Sequence, residues 1–489
     1  MIRDAALALA RCLYVALGLL LLAGCATAPG TGRTIFTGGM SEEQEAALGF
    51  QEHDKIVEQF GGAYDDPALQ AYVSSLGKLL VATSETPDKS FTFTVLDSPV
   101  VNAFALPGGY VYITRGLMAL ADNEAEVAGV LAHEIGHVTA RHAAERYGDS
   151  MAATALNIGA ALLLGGPAAQ ATSGLSQLVL RGFSREQEYE ADLLGVRYLS
   201  RSGHDTGAMA SFLARLQAHS RLEAALAGKP GAADEFSLLQ THPRTADRIE
   251  RAIAESAERP VANPEIAREV YLAQIDGLLY GDNPDEGVIR GRDFLHPGLG
   301  FAFSVPRDFT LFNGRRSVLA RGPQGSAILF DRAGKASGAT MADYLSRDWA
   351  RTMRLGGLEA IDVNGLEAAT ATTRVNSQRG VFDVRLVAIR FAAETIYRFV
   401  FLTPTRQTAA LSRGLRETTY SFRRLTAGEA ASVLPLRLRL HRVQPGDSQA
   451  GIAGRMPFEE FRLDRFQVLN GLRPDEALVA GQTVKIIVE

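Results

Sequence analysis

Apolar positions along this chain follow two periods. Up to about residue 260 they recur mostly every three or four residues, the mark of helices with one buried face; beyond it, alternation in twos predominates, as in half-buried strands. A helix is predicted from Ser41, which can cap it, with Glu42 and Glu43 in its first turn, and a second over Pro67–Ala82. Phe91–Leu96 alternates as a strand. Val100–Leu106 and Tyr110–Thr114 flank Pro107-Gly108-Gly109 and read as a hairpin. Glu124–Tyr147 reads as one long helix with Val127, Val130, Leu131 and Ile135 buried. Met151–Leu180 is unusually apolar and broken by Gly165-Gly166-Pro167, which leaves neither half long enough to span a bilayer; two buried or lid helices are expected. Helices over Arg185–Ser200, Gly207–Leu226 and Ala246–Ala257 follow.

In the second half, Phe301–Pro306, Ala327–Phe330, Val381–Phe391 and Ile396–Leu402 are strand-like, interrupted by a helix near Met341–Arg354. Residues 286–430 therefore read as an α+β, sandwich-like domain, with a faint resemblance to PsbP-like folds and no catalytic spacing. The last segment carries His441-Arg-Val-Gln-Pro-Gly-Asp447, then Val468-Leu-Asn470-Gly471-Leu472, then Leu478-Val-Ala-Gly-Gln482-Thr-Val-Lys485. It resembles a LysM module, a βααβ fold that binds N-acetylglucosamine polymers such as peptidoglycan. It departs from that pattern where Pro457–Arg465 lengthens the helical region and where Gln449-Ala-Gly451 replaces the usual start.

The first residues change the expected location. Arg3 and Arg11 precede an apolar run, Leu13–Ala23, that is too short to span and ends in Leu22-Ala23-Gly24-Cys25. This resembles a bacterial lipobox. It implies a signal peptide over 1–24, acylation of Cys25, and a Gly/Thr/Ala-rich tether over 25–40. Ala26, where an Asp would favour inner-membrane retention, points to the outer membrane. The chain has 2 cysteines, Cys12 and Cys25, so no disulfide is expected in the mature protein. A formal net charge of −5 without basic blocks gives no case for nucleic-acid binding.

The chemistry is concentrated at His133-Glu-Ile-Gly-His137. Two histidines about one helical turn apart lie on the same face, so both imidazoles can reach one zinc ion. Glu134 beside them can take a proton from a zinc-bound water. A third ligand is needed. The pattern with a later histidine fails, because Ala140 and Ala143 stand where glycine and histidine are required. His142 is off register and is expected to cap or pack the helix end. Ser184–Asp192 does better. Glu188 and Asp192 share a helix face, so Glu188 can ligate while Asp192 accepts a hydrogen bond from a ligand histidine. Glu186 and Glu190 are expected to be solvated charges.

His133-Glu134-x-x-His137 followed by Glu188-x-x-x-Asp192 resembles the HtpX and CAAX-prenyl-protease family of zinc metallopeptidases, of gluzincin type. Neighbouring elements agree: Asn102–Gly109 before the helix, Ser202-Gly-His-Asp205 with Ala208-Met209 after the ligand, and Thr241-His242-Pro243 with Arg248. The resemblance covers residues 41 to 257 and, with the lipobox, is strongest to periplasmic BepA-like lipoproteins; it departs where those carry tandem helical repeats.

The resulting expectation is an α+β chain with a linker at 263–285. Residues 41–262 form a mainly helical zincin metallopeptidase domain with a small edge β-sheet. The sandwich-like domain follows, and then the LysM-like module at 436–489. The resemblance implies one Zn2+ per chain held by His133, His137 and Glu188, with Glu134 as general base. It implies that His242 or Arg248 steadies the oxyanion, or that His242 closes the metal shell as a latch. Substrates would be unfolded or misassembled envelope proteins, paired as extended chain to Asn102, Ala103 and Phe104. The alternative is a latched chaperone or assembly factor. The membrane would be engaged through Cys25 and peptidoglycan through residues 440–489.

Overall fold

The computed structural model describes residues 24–151, 182–228, 242, 246–333, 340–377 and 380–489. The expected signal segment, apart from Gly24, and the apolar stretch at 151–180, apart from Met151, lie outside the described residues. The chain divides into two compact units, one of residues 1–58, 62–278 and 438–488, the other essentially of residues 279–437.

The first unit opens with a short hairpin, β1 (Cys25–Thr27) and β2 (Thr34–Phe36), paired antiparallel. This hairpin lies within the stretch expected as a tether. Helix α1 (Glu42–Gln59) follows, and α2 (Pro67–Ala82) starts where Asp66 accepts from the Ala68 and Leu69 amides with proline in the first turn. Three strands come next: β3 (Thr92–Leu96), β4 (Ala103–Leu106) and β5 (Tyr110–Thr114). The sheet order is β3-β5-β4, with β4 and β5 forming the expected antiparallel hairpin and β3 parallel to β5. This leaves β4 at an edge of the sheet among the described residues.

Short helix α3 (Arg115–Leu120) leads into α4 (Glu124–Thr139), which is capped by Asn123. All but the first residue of α4 are buried. The single helix expected over 124–147 is broken: the chain turns at Ala140 and Arg141 before helix resumes at His142. Arg141 sits at φ 57°, in the left-handed region that residues other than glycine occupy at a cost of roughly 1–3 kcal/mol. Its guanidinium offsets that cost by hydrogen-bonding Glu45 Oε1 at 2.8 Å and the Met40 carbonyl at 2.8 Å.

Helix α5 (Arg185–Ser202) begins with a reciprocal Ser184–Gln187 capping box and ends at Gly203, with φ 83°. It lies close against α4. A Cβ on Gly136 would meet the Ala191 carbonyl at 3.1 Å, and one on Gly195 would meet the His133 amide at 3.3 Å. Helices α6 (Ala208–Leu226), α7 (Ala246–Glu258) and α8 (Arg268–Ile275) complete this part. The same unit takes in residues 438–488, where a strand, two helices at Gln449–Ala453 and Arg462–Asn470, and strand Thr483–Val488 follow in order. Among the described residues no helix is long and apolar enough to cross a membrane.

The second unit has a seven-stranded antiparallel sheet. Its order is Thr310–Asn313, Ser317–Arg321, Ala327–Arg332, Thr395–Pro404, Gly380–Ala392, Leu366–Ser377, Gly356–Val363. A smaller sheet supplies Phe294, Phe301 and Phe303 to one core with Phe330, Phe399 and Phe401. Leu415 of helix Thr408–Ser421 and Phe422 close it. The helix expected at Met341–Arg354 is shorter, giving way to a wide π-helical turn over Tyr344–Trp349.

Candidate metal centre

Helix α4 brings His133, Glu134 and His137 to one buried face, and α5 sets Glu188 and Asp192 one turn apart opposite them. His242 enters just ahead of α7 and is buried with them. One donor atom from each of His133, His137, Glu188 and His242 falls within a 4.8 Å cluster. His133 Nε2 lies 3.0 Å from His137 Nε2 and 3.6 Å from Glu188 Oε2. His137 Nε2 is 3.6 Å from Glu188 Oε1. Tetrahedral zinc with bonds of about 2.05 Å needs donors about 3.3 Å apart, so these residues fit the ion. The Nδ1 atom of His242 sits 3.3 Å from His133 Nε2 and 2.9 Å from Glu188 Oε1, at the place of a fourth donor.

Charge is arranged for ligation. Burial, reinforced by neighbouring cationic groups, holds His137 well below the usual histidine range, so the imidazole is neutral and free to bind metal. Burial opposes ionisation of Glu188, but the charges of His242 and Arg248 overcome it and lower its pKa. Glu134 is shifted upward, chiefly by burial. Its Oε2 is buried without a hydrogen-bond partner, and its Oε1 is 3.5 Å from His242 Nε2. A carboxylate so placed and so raised is suited to accept and return a proton.

The groups around the donors were only partly foreseen. Asp192 Oδ1 lies 2.9 Å from His133 Nδ1. Arg248 grips Asp192 with two bonds of 2.7 Å and reaches Glu188 Oε2 at 2.6 Å. Its guanidinium is thus engaged with carboxylates, a different placement from the oxyanion-facing one the resemblance implied. His142 contacts a metal-site histidine directly: its Nδ1 is 2.7 Å from His137 Nδ1, with Nε2 3.2 Å from Glu190 Oε2. Glu190 is accordingly no solvated charge. His142, Arg33 and Thr31 all bond it, and they pull its pKa down to about 2 although burial opposes this. Phe183 stacks on His137 with ring centroids 3.9 Å apart. The sequence signal for His142 was present, but only the turn at Arg141 brings it into line.

At the sheet edge, Asn102, Ala103 and Phe104 are buried, and Asn102 Oδ1 has no hydrogen-bond partner. The Cys25 side is exposed.

Residues 67–256, which hold His133, Glu134, His137, Glu188 and His242, match the family model described as peptidase family M48. The chain carries an M48 peptidase domain. That family is one of zinc-dependent metallopeptidases. Similar curated proteins include the beta-barrel assembly-enhancing protease of Escherichia coli K12, 32% identical over 248 residues and covering 48% of each chain. The putative beta-barrel assembly-enhancing protease of Vibrio cholerae is 35% identical over 218 residues, 42% of each. The mitochondrial metalloendopeptidase OMA1 of Schizosaccharomyces pombe is 33% identical over 216 residues, 43% of this chain and 61% of that one. The chain thus spans about half the length of the curated bacterial relatives it matches. A solved cyanobacterial PsbP from Synechocystis sp. PCC 6803 is similar over 27% of this chain and 91% of its own, with a TM-score of 0.22 and 15% identity. A likeness that weak carries no argument for the sandwich-like region outside the M48 domain.

Proposed function

We propose that this chain is a zinc endopeptidase of the bacterial envelope acting on misfolded or stalled outer-membrane and periplasmic proteins. The observation that carries the reading is the cluster of His133, His137 and Glu188 at tetrahedral ligand spacing with a raised, unpartnered Glu134 beside it. Zinc held there supplies Lewis-acid polarisation of a water and of the scissile carbonyl. Glu134 takes the proton of the attacking water and passes it to the leaving amine. Asp192, fixed by Arg248, keeps His133 Nδ1–H turned outward and Nε2 turned to the metal.

The edge at β4 supports an extended substrate. Main-chain pairing along Asn102, Ala103 and Phe104 reads no side chains and so favours unfolded segments, and a substrate N–H could satisfy Asn102 Oδ1. Attachment to the outer membrane through Cys25 rests on the lipobox. Peptidoglycan contact through residues 440–489 rests on the LysM resemblance and the strand–helix–helix–strand order.

His242 favours a second state of the same site. If Nδ1 stayed where it lies once zinc was bound, His242 would exclude the water that hydrolysis needs, and a chain held so would act only as a binding or assembly factor. The test is cleavage of casein and of an unfolded outer-membrane protein by the zinc-loaded protein, Glu134→Gln and His242→Ala. Metal analysis should find one zinc in wild type and Glu134→Gln. Cleavage by wild type that is lost in Glu134→Gln supports the peptidase. Cleavage by His242→Ala alone supports the latch. If neither cuts with zinc bound, the peptidase reading fails.

A further inference from the structure

The two histidines of the pentapeptide are supported from behind in different ways. His133 has a carboxylate, Asp192, directly against its Nδ1. His137 has another imidazole. On an unbroken helix, five residues place His142 about 140° around the axis from His137. The left-handed turn at Arg141 removes that offset and sets the two Nδ1 atoms 2.7 Å apart.

The proton positions then follow from one another. His137 directs Nε2 into the donor cluster, so its Nδ1 carries the hydrogen. Nδ1 of His142 must accept that hydrogen, which puts the His142 proton on Nε2. That nitrogen lies 3.2 Å from Glu190 Oε2 and donates to it. Glu190 is fixed in turn by residues of the β1–β2 turn. Arg33 Nε donates to the same oxygen at 2.9 Å, and the Thr31 hydroxyl donates to Oε1. The other end of the Arg33 guanidinium forks onto Glu145 at 2.5 and 2.8 Å, and Gln187 Nε2 donates to Glu145 at 2.7 Å. One arginine from the N-terminal hairpin thus ties the helix after the kink to the start of α5.

We infer that His142 is a positioning residue for His137, and that Thr31 and Arg33, through Glu190, hold the far end of a hydrogen-bonded line that couples the N-terminal hairpin to the metal site. This inference rests on the zinc reading of the site. It gives the segment after Cys25 a part in the geometry of the centre besides that of a spacer. Whatever pulls residues 31–33 out of place also frees the His137 ring to rotate.

The readout is zinc affinity, measured on the whole protein by competition with a chromophoric chelator. His142→Phe keeps a ring and loses the acceptor; His142→Asn keeps an acceptor oxygen near the position of Nδ1. We expect His142→Phe to bind zinc about 10–100-fold more weakly, as removal of such an outer partner does, and His142→Asn to recover most of that loss. Arg33→Met is expected to shift affinity in the same direction by a smaller factor. Circular dichroism of the metal-free forms checks folding. A nitrogen-edited proton spectrum of the zinc form should show a slowly exchanging His137 Nδ1–H in wild type and His142→Asn, absent in His142→Phe. Wild-type affinity in His142→Phe, or equal losses in His142→Phe and His142→Asn, overturns the proposal while the zinc reading stands. A wild-type protein that binds no zinc overturns both.

Discussion

Arg248 faces two buried carboxylates; it is the main charge that keeps Asp192 ionised and, after His242, helps keep Glu188 so. Two parallel bonds to Asp192 and a third contact to Glu188 use the planar fork of the guanidinium, which a lysine cannot reproduce. Arg248→Met is therefore expected to destabilise the zinc-free protein by about 3–5 kcal/mol, the usual penalty for leaving buried charge uncompensated, and zinc should restore part of the loss. Denaturant unfolding with and without zinc checks both statements. Arg248→Lys keeps the charge and loses the fork, so its stability should fall between the two. A pH dependence follows from Asp192, which Arg248 holds well below the ordinary value of 3.8 despite its burial. The folded carboxylate resists protonation where the unfolded one accepts it, so its contribution is complete above about pH 4 and is lost as the pH falls below that. Asp192→Asn should flatten the acid limb of the stability curve measured on zinc-free protein. The candidate ligands stood out in the sequence because their spacing is local: the two histidines stand four positions apart, as do Glu188 and Asp192. The residues behind them did not, because Arg33 meets Glu190 across 157 positions and Arg248 meets Asp192 across 56.

At the scale of elements, the site depends on how near α4 comes to α5. Gly136, inside the pentapeptide, is the contact: its missing side chain admits Ala191, whose carbonyl and Cα would lie 3.1 and 3.3 Å from a Cβ. Gly136→Ala should push the helices apart, lower stability by about 1–3 kcal/mol and weaken zinc binding, since the histidines ride on one helix and Glu188 on the other. Gly129 on the same helix is the control. A Cβ there would meet Leu199 and Met209 at 3.6 Å or more, ordinary contact, so Gly129→Ala should gain up to about 1 kcal/mol with zinc affinity unchanged. Chelator competition beside denaturant unfolding separates the two variants. The same scale shows where periodicity was enough. The bounds of α2 are marked locally by Asp66 and Pro67, and the β4–β5 hairpin by its Pro-Gly-Gly turn. The end of α4 carries no such mark. No glycine or proline stands at 140–141, and the helix breaks there because Arg141 reaches Glu45, 96 residues earlier. The parallel pairing of β3 with β5 was equally hidden, since strand alternation says which face is buried and not which neighbour is chosen.

At the scale of the molecule, the C-terminal residues are the part whose sequence signature says least about their placement. Residues 438–488 belong to the same compact unit as the M48 domain, and one buried side chain reaches across between them. Lys485 is completely buried, and its ammonium donates to the carbonyls of Ala119, Leu120 and Ala121 at 2.9, 3.1 and 2.6 Å. Those carbonyls end α3, immediately before the cap of α4, and a cation is favoured at such an end. Lys485→Met fills the same space and leaves three buried acceptors without a donor. It should lower stability by about 1–3 kcal/mol, and limited proteolysis should release residues beyond 436 sooner than in wild type. The pH dependence of the same pair separates a buried ammonium from a generic packing residue. Burial draws the Lys485 pKa down from 10.5 to about 7, the charge of Asp122 only partly opposing it. Between those values the unfolded chain holds a proton that the folded chain has released, so stability should rise with pH through that window, by up to about 1.4 kcal/mol per unit. The difference in unfolding free energy between wild type and Lys485→Met should therefore widen from pH 7 to pH 9. A difference that stays level across that range would mean the lysine keeps its proton in the fold, its three carbonyls outweighing burial.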